Sequence, residues 1–196
     1  FDKTGTLTEA TPNVACVLAF DGWNRREVLR LAACLEEHFP HPVARAVVRA
    51  AAEKNLKHRE RHADVEYLVA HGIASSLDGK RVVIGSEHFV VEDEGIAVSE
   101  EQRRRIAEEG EGLSPLYLAV DGALVGVIGI DDPLKEDVAR SIAALRGLGF
   151  NRVVMLTGDG EHTARRIAEA AGVTEYRANL LPEDKYAVVE RLKAEG

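Results

Sequence analysis

Cysteine is scarce in this chain, and the shortage narrows the class of protein. Of 196 residues only two are cysteine, Cys16 and Cys34, both in apolar surroundings and without C-x-x-C spacing. A disulfide framework is therefore not expected, and a reducing cytoplasmic setting fits the composition better.

Long apolar runs and an excess of positive charge are also absent. No apolar run approaches the roughly 20 residues that span a bilayer. With 25 Lys and Arg against 33 Asp and Glu, the formal net charge is −8 and no basic stripe is available, so nucleic acid is not expected as a partner. A small anion such as ATP needs only a local site and is compatible with this charge.

The middle of the chain predicts an antiparallel α+β unit. Two hairpin signals, Asp78-Gly79 and Asp121-Gly122, separate pairs of short apolar segments. Hydrophobic spacing predicts strands over 15–20, 65–69, 73–77, 81–84, 116–120 and 123–130, and helices over 24–37, 43–54 and 99–109, with a short helix after Ser86.

The last third of the chain predicts a different fold class. Helices over 133–148, 161–171 and 182–194 alternate with strands over 152–156 and 176–178. Such alternation is typical of α/β proteins with a doubly wound parallel sheet. The segment that opens the chain is expected to belong to the same sheet, so an α+β unit is inserted into an α/β domain.

The opening run has the pattern of a phosphoryl-transfer site. Asp2 is followed by Lys3, Thr4, Gly5 and Thr6, as at a strand end that opens into a phosphate-binding turn. Gly5 supplies backbone freedom, while threonine hydroxyls and turn amides offer donors to an anion. Asp2 is therefore predicted to be a nucleophile that carries a phosphoryl group covalently. Because a strand should deliver such a nucleophile, we expect this chain to be a piece of a larger protein.

A second candidate segment follows the strand predicted over 152–156. It reads Thr157-Gly158-Asp159. The Thr157 hydroxyl and the Gly158 amide suit a phosphate oxygen, and Asp159 suits a metal or the nucleotide side of a site. Taken alone, such a segment is more often an ordinary turn.

The third segment begins the last predicted helix with Pro182, Glu183, Asp184 and Lys185. Alone, a proline and two acids at this place indicate only a well-capped helix. A lysine there would also neutralise charge on a phosphoryl group. Since the ends of parallel strands converge at one edge of a sheet, the three segments together predict a phosphoryl-transfer site.

These three motifs resemble the signatures of P-type ATPases, ion pumps that phosphorylate an aspartate from ATP-Mg. The resemblance covers the whole chain. It implies a haloacid dehalogenase-like phosphorylation domain, incomplete and made of residues 1–9 and 132–196, with a nucleotide-binding domain at 10–131 inserted in it. The run from Asp132 to Lys135 resembles the hinge where the chain returns to the phosphorylation domain.

The resemblance also implies which residues act. The catalytic residues would be Asp2, Lys3, Thr4, Thr157, Gly158, Asp159 and Lys185. Mg²⁺ would be a cofactor held by the Asp2 carboxylate and the Thr4 carbonyl, because this ion prefers hard oxygen ligands. The family takes a further aspartate from a Gly-Asp-Gly-x-Asn-Asp loop, which does not occur in this sequence. The metal site is therefore expected to be incomplete.

The inserted domain resembles that of the heavy-metal-transporting branch. It is small, and it carries His41-Pro42 with Glu36 five residues before the histidine. In that branch the histidine lies beside the adenine of ATP and the glutamate helps hold the base. Gly72 corresponds to part of a Gly-x-Gly turn near the adenine. The resemblance thus implies that Glu36, His41, Pro42 and Gly72 bind ATP.

Three places depart from the pattern of that branch. Phe39-Pro40 stand where Ser-Glu is usual, Ala70 replaces the first glycine of the turn, and Gly160 replaces the asparagine that usually follows Asp159. These departures are expected to affect the affinity and pose of the nucleotide more than the overall function.

Thr4 favours a pump over the related phosphatases. Those enzymes usually carry a second aspartate two residues after the nucleophile as general acid and base. A threonine cannot serve as a base for water, so an aspartyl phosphate on Asp2 would persist long enough to drive a conformational change. Two alternatives stay open: a haloacid dehalogenase-type phosphatase with a cap domain, and a nucleotide-binding module without turnover.

The predicted function is the ATP-binding cytoplasmic portion of a heavy-metal cation-transporting P-type ATPase. The expected partners are ATP and, through a membrane domain outside this chain, the transported metal cation. The parent protein is expected in a membrane, favouring the plasma membrane, with this portion on the cytoplasmic face. The portion itself is expected to be soluble and impaired in turnover, and its motifs do not encode which metal is moved.

Overall fold

A computed structural model gives the structure of residues 1–37, 39, 41–56, 62–68, 72–77 and 79–195, with backbone alone described for 62–68 and Pro182. The chain divides into two compact units. Thr11–Asp131 forms the first, which we call the antiparallel-sheet unit. Phe1–Ala10 together with Asp132–Gly196 forms the second, the parallel-sheet unit.

Six strands, counted over the described residues, form the sheet of the antiparallel-sheet unit. In spatial order the sheet runs β1-β6-β5-β4-β3-β2, and every neighbouring pair is antiparallel. The β5–β6 hairpin turns at Asp121 and Gly122, both with positive φ, as the Asp-Gly signal predicts. The strands are β1 (Asn13–Ala19), β2 (His62–Leu68), β3 (Gly72–Leu77), β4 (Lys80–Gly85), β5 (Ser114–Val120) and β6 (Ala123–Asp131).

The helices of this unit begin where the sequence places capping residues. The side chain of Asn24 accepts hydrogen bonds from the amides of Arg26 and Glu27, and the Asn24 amide donates to Glu27 Oε2. The sequence therefore sets the first helix boundary locally. The helices are α1 (Arg25–Glu36), α2 (Pro42–Glu53) and α3 (Glu100–Glu109), with a short helical segment at His88–Asp93.

Alternation along β4 divides the core into two layers. Val82 and Ile84 pack on one face of the sheet with the apolar residues of α1 and α2. Val83 points to the opposite face, where it packs with Phe89 and Val90 of the short helical segment. Because successive strand side chains alternate between faces, one strand holds both layers in register. This packing holds α1, which ends at Glu36, and α2, which begins at Pro42, in the same layer of the core.

The parallel-sheet unit alternates helices and strands: α4 (Val138–Gly147), β7 (Val154–Leu156), α5 (Glu161–Ala171), β8 (Glu175–Arg177) and α6 (Pro182–Glu195). Strands β7 and β8 pair in parallel, and Asp2 forms a parallel bridge with Leu156. The predicted α/β class with a parallel sheet and an inserted antiparallel α+β unit is confirmed. No helix in the described parts of the chain is long and apolar enough to cross a membrane.

The helix predicted over 133–148 is wrong in its first part. Helix α4 begins only at Val138. The preceding residues run alongside the opening segment: the Pro133 carbonyl accepts from the Glu9 amide at 2.9 Å, and the Lys135 amide donates to the Leu7 carbonyl at 3.0 Å. These long-range bonds override local helical spacing. The strand predicted over 65–69 reaches Leu68, and position 69 lies outside the described residues.

Candidate active site

Asp2 is held at the carboxyl end of strand β7. The Leu156 amide donates to the Phe1 carbonyl at 2.8 Å, and the Phe1 nitrogen donates to the Val154 carbonyl at 2.7 Å. The Asp2 side chain is 42% exposed, and its Oδ1 lies 2.6 Å from Lys185 Nζ. A half-exposed carboxylate beside one cation can meet a ligand from solvent.

Lys185 is positioned by the start of helix α6. The Leu181 amide donates to Asp184 Oδ2 at 3.0 Å, and the Lys185 amide donates to the Leu181 carbonyl at 3.1 Å. An acidic side chain thus caps the first turn, as the sequence suggests. The same turn also presents a cation to Asp2, 183 positions earlier in the chain, which brings the first and third predicted segments together.

The second segment joins the first through a buried ion pair. Lys3 Nζ lies 2.6 Å from Asp159 Oδ2, with side-chain exposures of 6% and 17%. The Asp159 amide donates to Thr157 Oγ1 at 3.0 Å, and Thr157 is buried. Gly158 between them is exposed. All three predicted segments therefore meet at one edge of the parallel sheet.

The turn from Lys3 to Leu7 is irregular. Gly5 has a φ of 77°, in the left-handed region that favours glycine. Its amide donates to Thr8 Oγ1 at 3.1 Å. The Gly5 amide is therefore already hydrogen-bonded within the turn, although turn amides were expected to be donors to an anion. The Thr4 and Thr6 side chains are exposed.

Thr8 and Asp132 lie beside the site but are not among the residues that the sequence motifs predict for it. The Thr8 hydroxyl donates to Asp132 Oδ2 at 2.6 Å, and Thr8 is fully buried. The available signal was the hinge-like run that begins at Asp132. Sequence spacing alone could not pair it with Thr8, because 124 positions separate the two residues.

In the antiparallel-sheet unit, Glu36 and His41 come together between α1 and α2. Glu36 ends α1 and is 3% exposed, while His41 caps α2 by accepting the Ala44 amide on Nδ1 at 3.3 Å. His41 Nε2 lies 3.2 Å from Glu36 Oε2, a contact not aligned as a hydrogen bond. Pro42 is the first residue of α2. The half-exposed imidazole thus covers a buried carboxylate.

Gly72 has a packing reason to be glycine. It begins β3 opposite Gly85, and a Cβ at this position would lie 2.3 Å from Phe89 Cδ1 and 2.4 Å from the Ile84 carbonyl oxygen. No larger residue fits without displacing backbone. Ala70 and His71, the rest of the predicted turn, lie outside the described residues.

We expect Gly72→Ala to destabilise the chain by about 1–3 kcal/mol, because the added methyl group overpacks against backbone and a fully buried ring. Urea unfolding of the wild-type and variant chains measures this difference. Gly147→Ala is the matched control, since nothing lies within 4 Å of its would-be Cβ. Equal midpoints for Gly72→Ala and wild type would contradict the packing explanation.

The chain matches the family model described as haloacid dehalogenase-like hydrolase over residues 1–196. It is 39% identical to a zinc-exporting P-type ATPase of Mycobacterium marinum and 38% identical to a manganese-exporting P-type ATPase of Mycobacterium bovis. Both alignments cover 100% of this chain. The chain spans 27% of the length of each of these relatives.

Among the solved structures that resemble the whole chain, two illustrate the likeness. One is the catalytic domain of the CPx-ATPase CopB-B, studied for conformational changes upon nucleotide binding; it has a TM-score of 0.76 at 24% identity, with 66% of that chain covered. At this identity the likeness shows the fold. The other is a zinc-transporting PIB-type ATPase in the E2.Pi state, with a TM-score of 0.61 at 33% identity and 31% of that chain covered.

Proposed function

The chain belongs to the haloacid dehalogenase-like hydrolase family, and from this premise we propose that it is the catalytic portion of a heavy-metal-transporting P-type ATPase. The observation that carries the proposal is the Asp2 carboxylate, 2.6 Å from the Lys185 amine at the end of a parallel strand. The metal-exporting relatives support the assignment to heavy-metal transport.

The proposed reaction is phosphoryl transfer from ATP to Asp2. A carboxylate oxygen attacks the γ-phosphorus, the bond to the bridging β–γ oxygen breaks, and ADP leaves with that electron pair. The product is an acyl phosphate on Asp2, and water later releases inorganic phosphate and restores the carboxylate. Lys185 neutralises charge on the transferred group, because its amine already lies beside the accepting oxygen.

Lys3 and Asp159 have a supporting role in this proposal. Their ion pair joins the turn after Asp2 to the turn after β7. Lys3 is therefore engaged within the protein, and it fixes the geometry around Asp2 instead of presenting a mobile cation. We propose that the pair preorganises the acceptor, since a catalytic geometry held before binding lowers the barrier to transfer.

Thr4 is the proposed reason for a long-lived phosphoenzyme. It occupies the place of the second aspartate of related phosphatases, and its exposed side chain carries no carboxylate. A hydroxyl does not act as a general base at neutral pH. The acyl phosphate on Asp2 would therefore be hydrolysed slowly, as a pump requires and a phosphatase does not.

Mg²⁺ fits the oxygen chemistry of Asp2. Within the described residues, no three His, Cys, Asp or Glu side chains are grouped to hold a metal. The half-exposed Asp2 carboxylate offers hard oxygen ligands, and we propose that it holds the ion together with the Thr4 carbonyl. When bound, Mg²⁺ would supply neutralisation of phosphate charge.

We propose that the antiparallel-sheet unit binds the adenine end of ATP and that the parallel-sheet unit is phosphorylated. Glu36 Oε2 is buried and makes no hydrogen bond among the described residues, so it can accept one from an exocyclic amino group. The half-exposed ring of His41 offers a flat surface beside it. A carboxylate oxygen accepts a hydrogen bond from the amino group at C6 of adenine. Guanine carries a carbonyl oxygen at C6, so this site favours adenine over guanine.

We expect Glu36→Gln to weaken ATP binding about tenfold, because a hydrogen bond to a charged acceptor contributes about 1–1.5 kcal/mol more than a bond to a neutral amide oxygen. Preference for ATP over GTP should fall with it, as measured by isothermal titration calorimetry with both nucleotides. Glu53→Gln, an exposed glutamate at the end of α2, is the control. An unchanged ATP preference in Glu36→Gln would contradict base recognition by this carboxylate.

We also propose that a transported heavy-metal cation is the partner of the parent protein, at a membrane, with this portion on the cytoplasmic side where ATP is available. The support comes from the two relatives, one a zinc-exporting and the other a manganese-exporting ATPase. Those two relatives move different metals at similar identity, so the similarity does not select one ion for this chain.

The proposal is tested by incubating the chain with Mg²⁺ and ATP labelled at the γ-phosphate. We expect acid-stable, hydroxylamine-sensitive label on the peptide that contains Asp2, which is the behaviour of an acyl phosphate. Nucleotide binding without label would favour a binding module without turnover. Rapid hydrolysis of small phosphate esters, with no retained label, would favour a phosphatase.

A further inference from the structure

The turn that follows Asp2 is fixed by a segment far along the chain. The Thr8 hydroxyl donates to Asp132 Oδ2 at 2.6 Å and accepts from the Gly5 amide at 3.1 Å. The Thr8 amide also donates to the Lys3 carbonyl at 3.1 Å. Thr8 thus links the Asp132 carboxylate to the Lys3–Leu7 turn: its hydroxyl contacts the middle of the turn and its amide contacts the start.

The link to Asp132 has the geometry of a strong bond. A separation of 2.6 Å is typical of a hydroxyl donating to a carboxylate, which is about twice as strong as a bond between neutral groups. Thr8 is 0% exposed, so water does not compete for its hydroxyl. The Asp132 Oδ1 atom is buried and makes no hydrogen bond to any described residue, which leaves Oδ2 as the atom through which this carboxylate acts.

Other contacts hold the same turn from the same side. Lys135 Nζ donates to the Gly5 carbonyl at 3.1 Å, and the Lys135 amide donates to the Leu7 carbonyl at 3.0 Å. Leu7 is buried in the core with Met155 of β7. The Gly5 amide and the Gly5 carbonyl are therefore both hydrogen-bonded, which restricts a residue whose backbone could otherwise adopt many conformations.

We propose that Asp132 is a positioning residue for phosphoryl transfer, which acts through the Thr8 hydroxyl to hold the Lys3–Leu7 turn behind Asp2. The inference rests on the proposed function, since it assigns the residue to the same reaction. Asp132 does not touch the phosphoryl group in this role. It orients the backbone that aims Asp2 and Thr4, and misplacement by about 1 Å can slow a reaction a hundredfold.

The test measures label transfer and nucleotide affinity separately in the 196-residue chain. We expect Asp132→Ala and Thr8→Val to slow labelling of Asp2 about ten- to a hundredfold at saturating Mg-ATP, with the Kd for ATP unchanged. Asp132→Asn and Thr8→Ser should retain most of the rate, because an amide oxygen still accepts and a serine hydroxyl still donates. The double variant Thr8→Val/Asp132→Ala should be no slower than either single variant, since both changes break one link.

Asp131→Ala is the matched control, because it removes the neighbouring carboxylate at the end of β6. Melting curves establish that each variant is folded, and the rescue by Asp132→Asn and Thr8→Ser separates positioning from general destabilisation. Loss of labelling in Asp132→Asn as severe as in Asp132→Ala would overturn the inference in favour of direct contact with the ligand. Equal labelling in Asp132→Ala and wild type would also overturn it. A wild-type chain that binds ATP but takes no label contradicts the proposed function instead.

Discussion

The Asp2→Asn chain is expected to take up no phosphoryl label from ATP while binding ATP as tightly as wild type. An amide is a far poorer nucleophile than a carboxylate and cannot form the acyl phosphate. The substitution also removes the charge that attracts Lys185. Nucleotide affinity should be unchanged, because the proposed base-binding residues Glu36 and His41 lie in the other unit.

Stability should change little in this variant, so lost labelling can be assigned to chemistry. The Asp2–Lys185 pair is partly exposed, and such pairs contribute about 0–1 kcal/mol to folding. Asp137→Asn is the control: an exposed aspartate that makes no side-chain cap to α4. Quantitative autoradiography, with peptide mapping, measures the label. Persistent label on another residue of Asp2→Asn would show that Asp2 is not the acceptor.

Local features of the sequence predicted most of the secondary structure and the meeting of the three motifs. An Asp-Gly turn located a hairpin, and hydrophobic spacing located helix α1, since these signals act within a few residues. The convergence of Asp2, Thr157 and Lys185 followed from a rule of parallel sheets, in which strand ends lie at one edge.

The sequence could not predict contacts between residues that are distant along the chain. The pairing of Thr8 with Asp132, and of Lys3 with Asp159, has no local signature. The helix expected from residue 133 was displaced by backbone bonds to the opening segment, which hydrophobic spacing cannot reveal. Gly72 was explained as a place for close approach of the nucleotide, whereas the structure supplies a buried ring, that of Phe89, at the same position.

The Lys3–Asp159 ion pair yields the largest expected change in stability. We expect Lys3→Met to lower the free energy of unfolding by about 3–5 kcal/mol, because it leaves the Asp159 carboxylate in a mostly buried place without its cation. The methionine replaces the apolar stem of lysine, so the loss reports the charge more than the packing. Urea unfolding followed by circular dichroism measures it.

A double variant tests whether the unpaired buried charge, and not another effect of Lys3→Met, causes the loss of stability. Lys3→Met/Asp159→Leu should recover part of the loss, since an apolar pair of similar volume often replaces a buried ion pair at little cost in stability. The exposed pair Lys193–Glu190 is the matched control: its side chains are 69% and 48% exposed, and Lys193→Met should change stability by no more than about 0.5 kcal/mol. If Lys3→Met were as mild as Lys193→Met, the Lys3–Asp159 pair would not be holding the two turns together. The proposed preorganisation of Asp2 depends on the ion pair that joins the turn after Asp2 to the turn after β7. That proposal would then lose its structural basis.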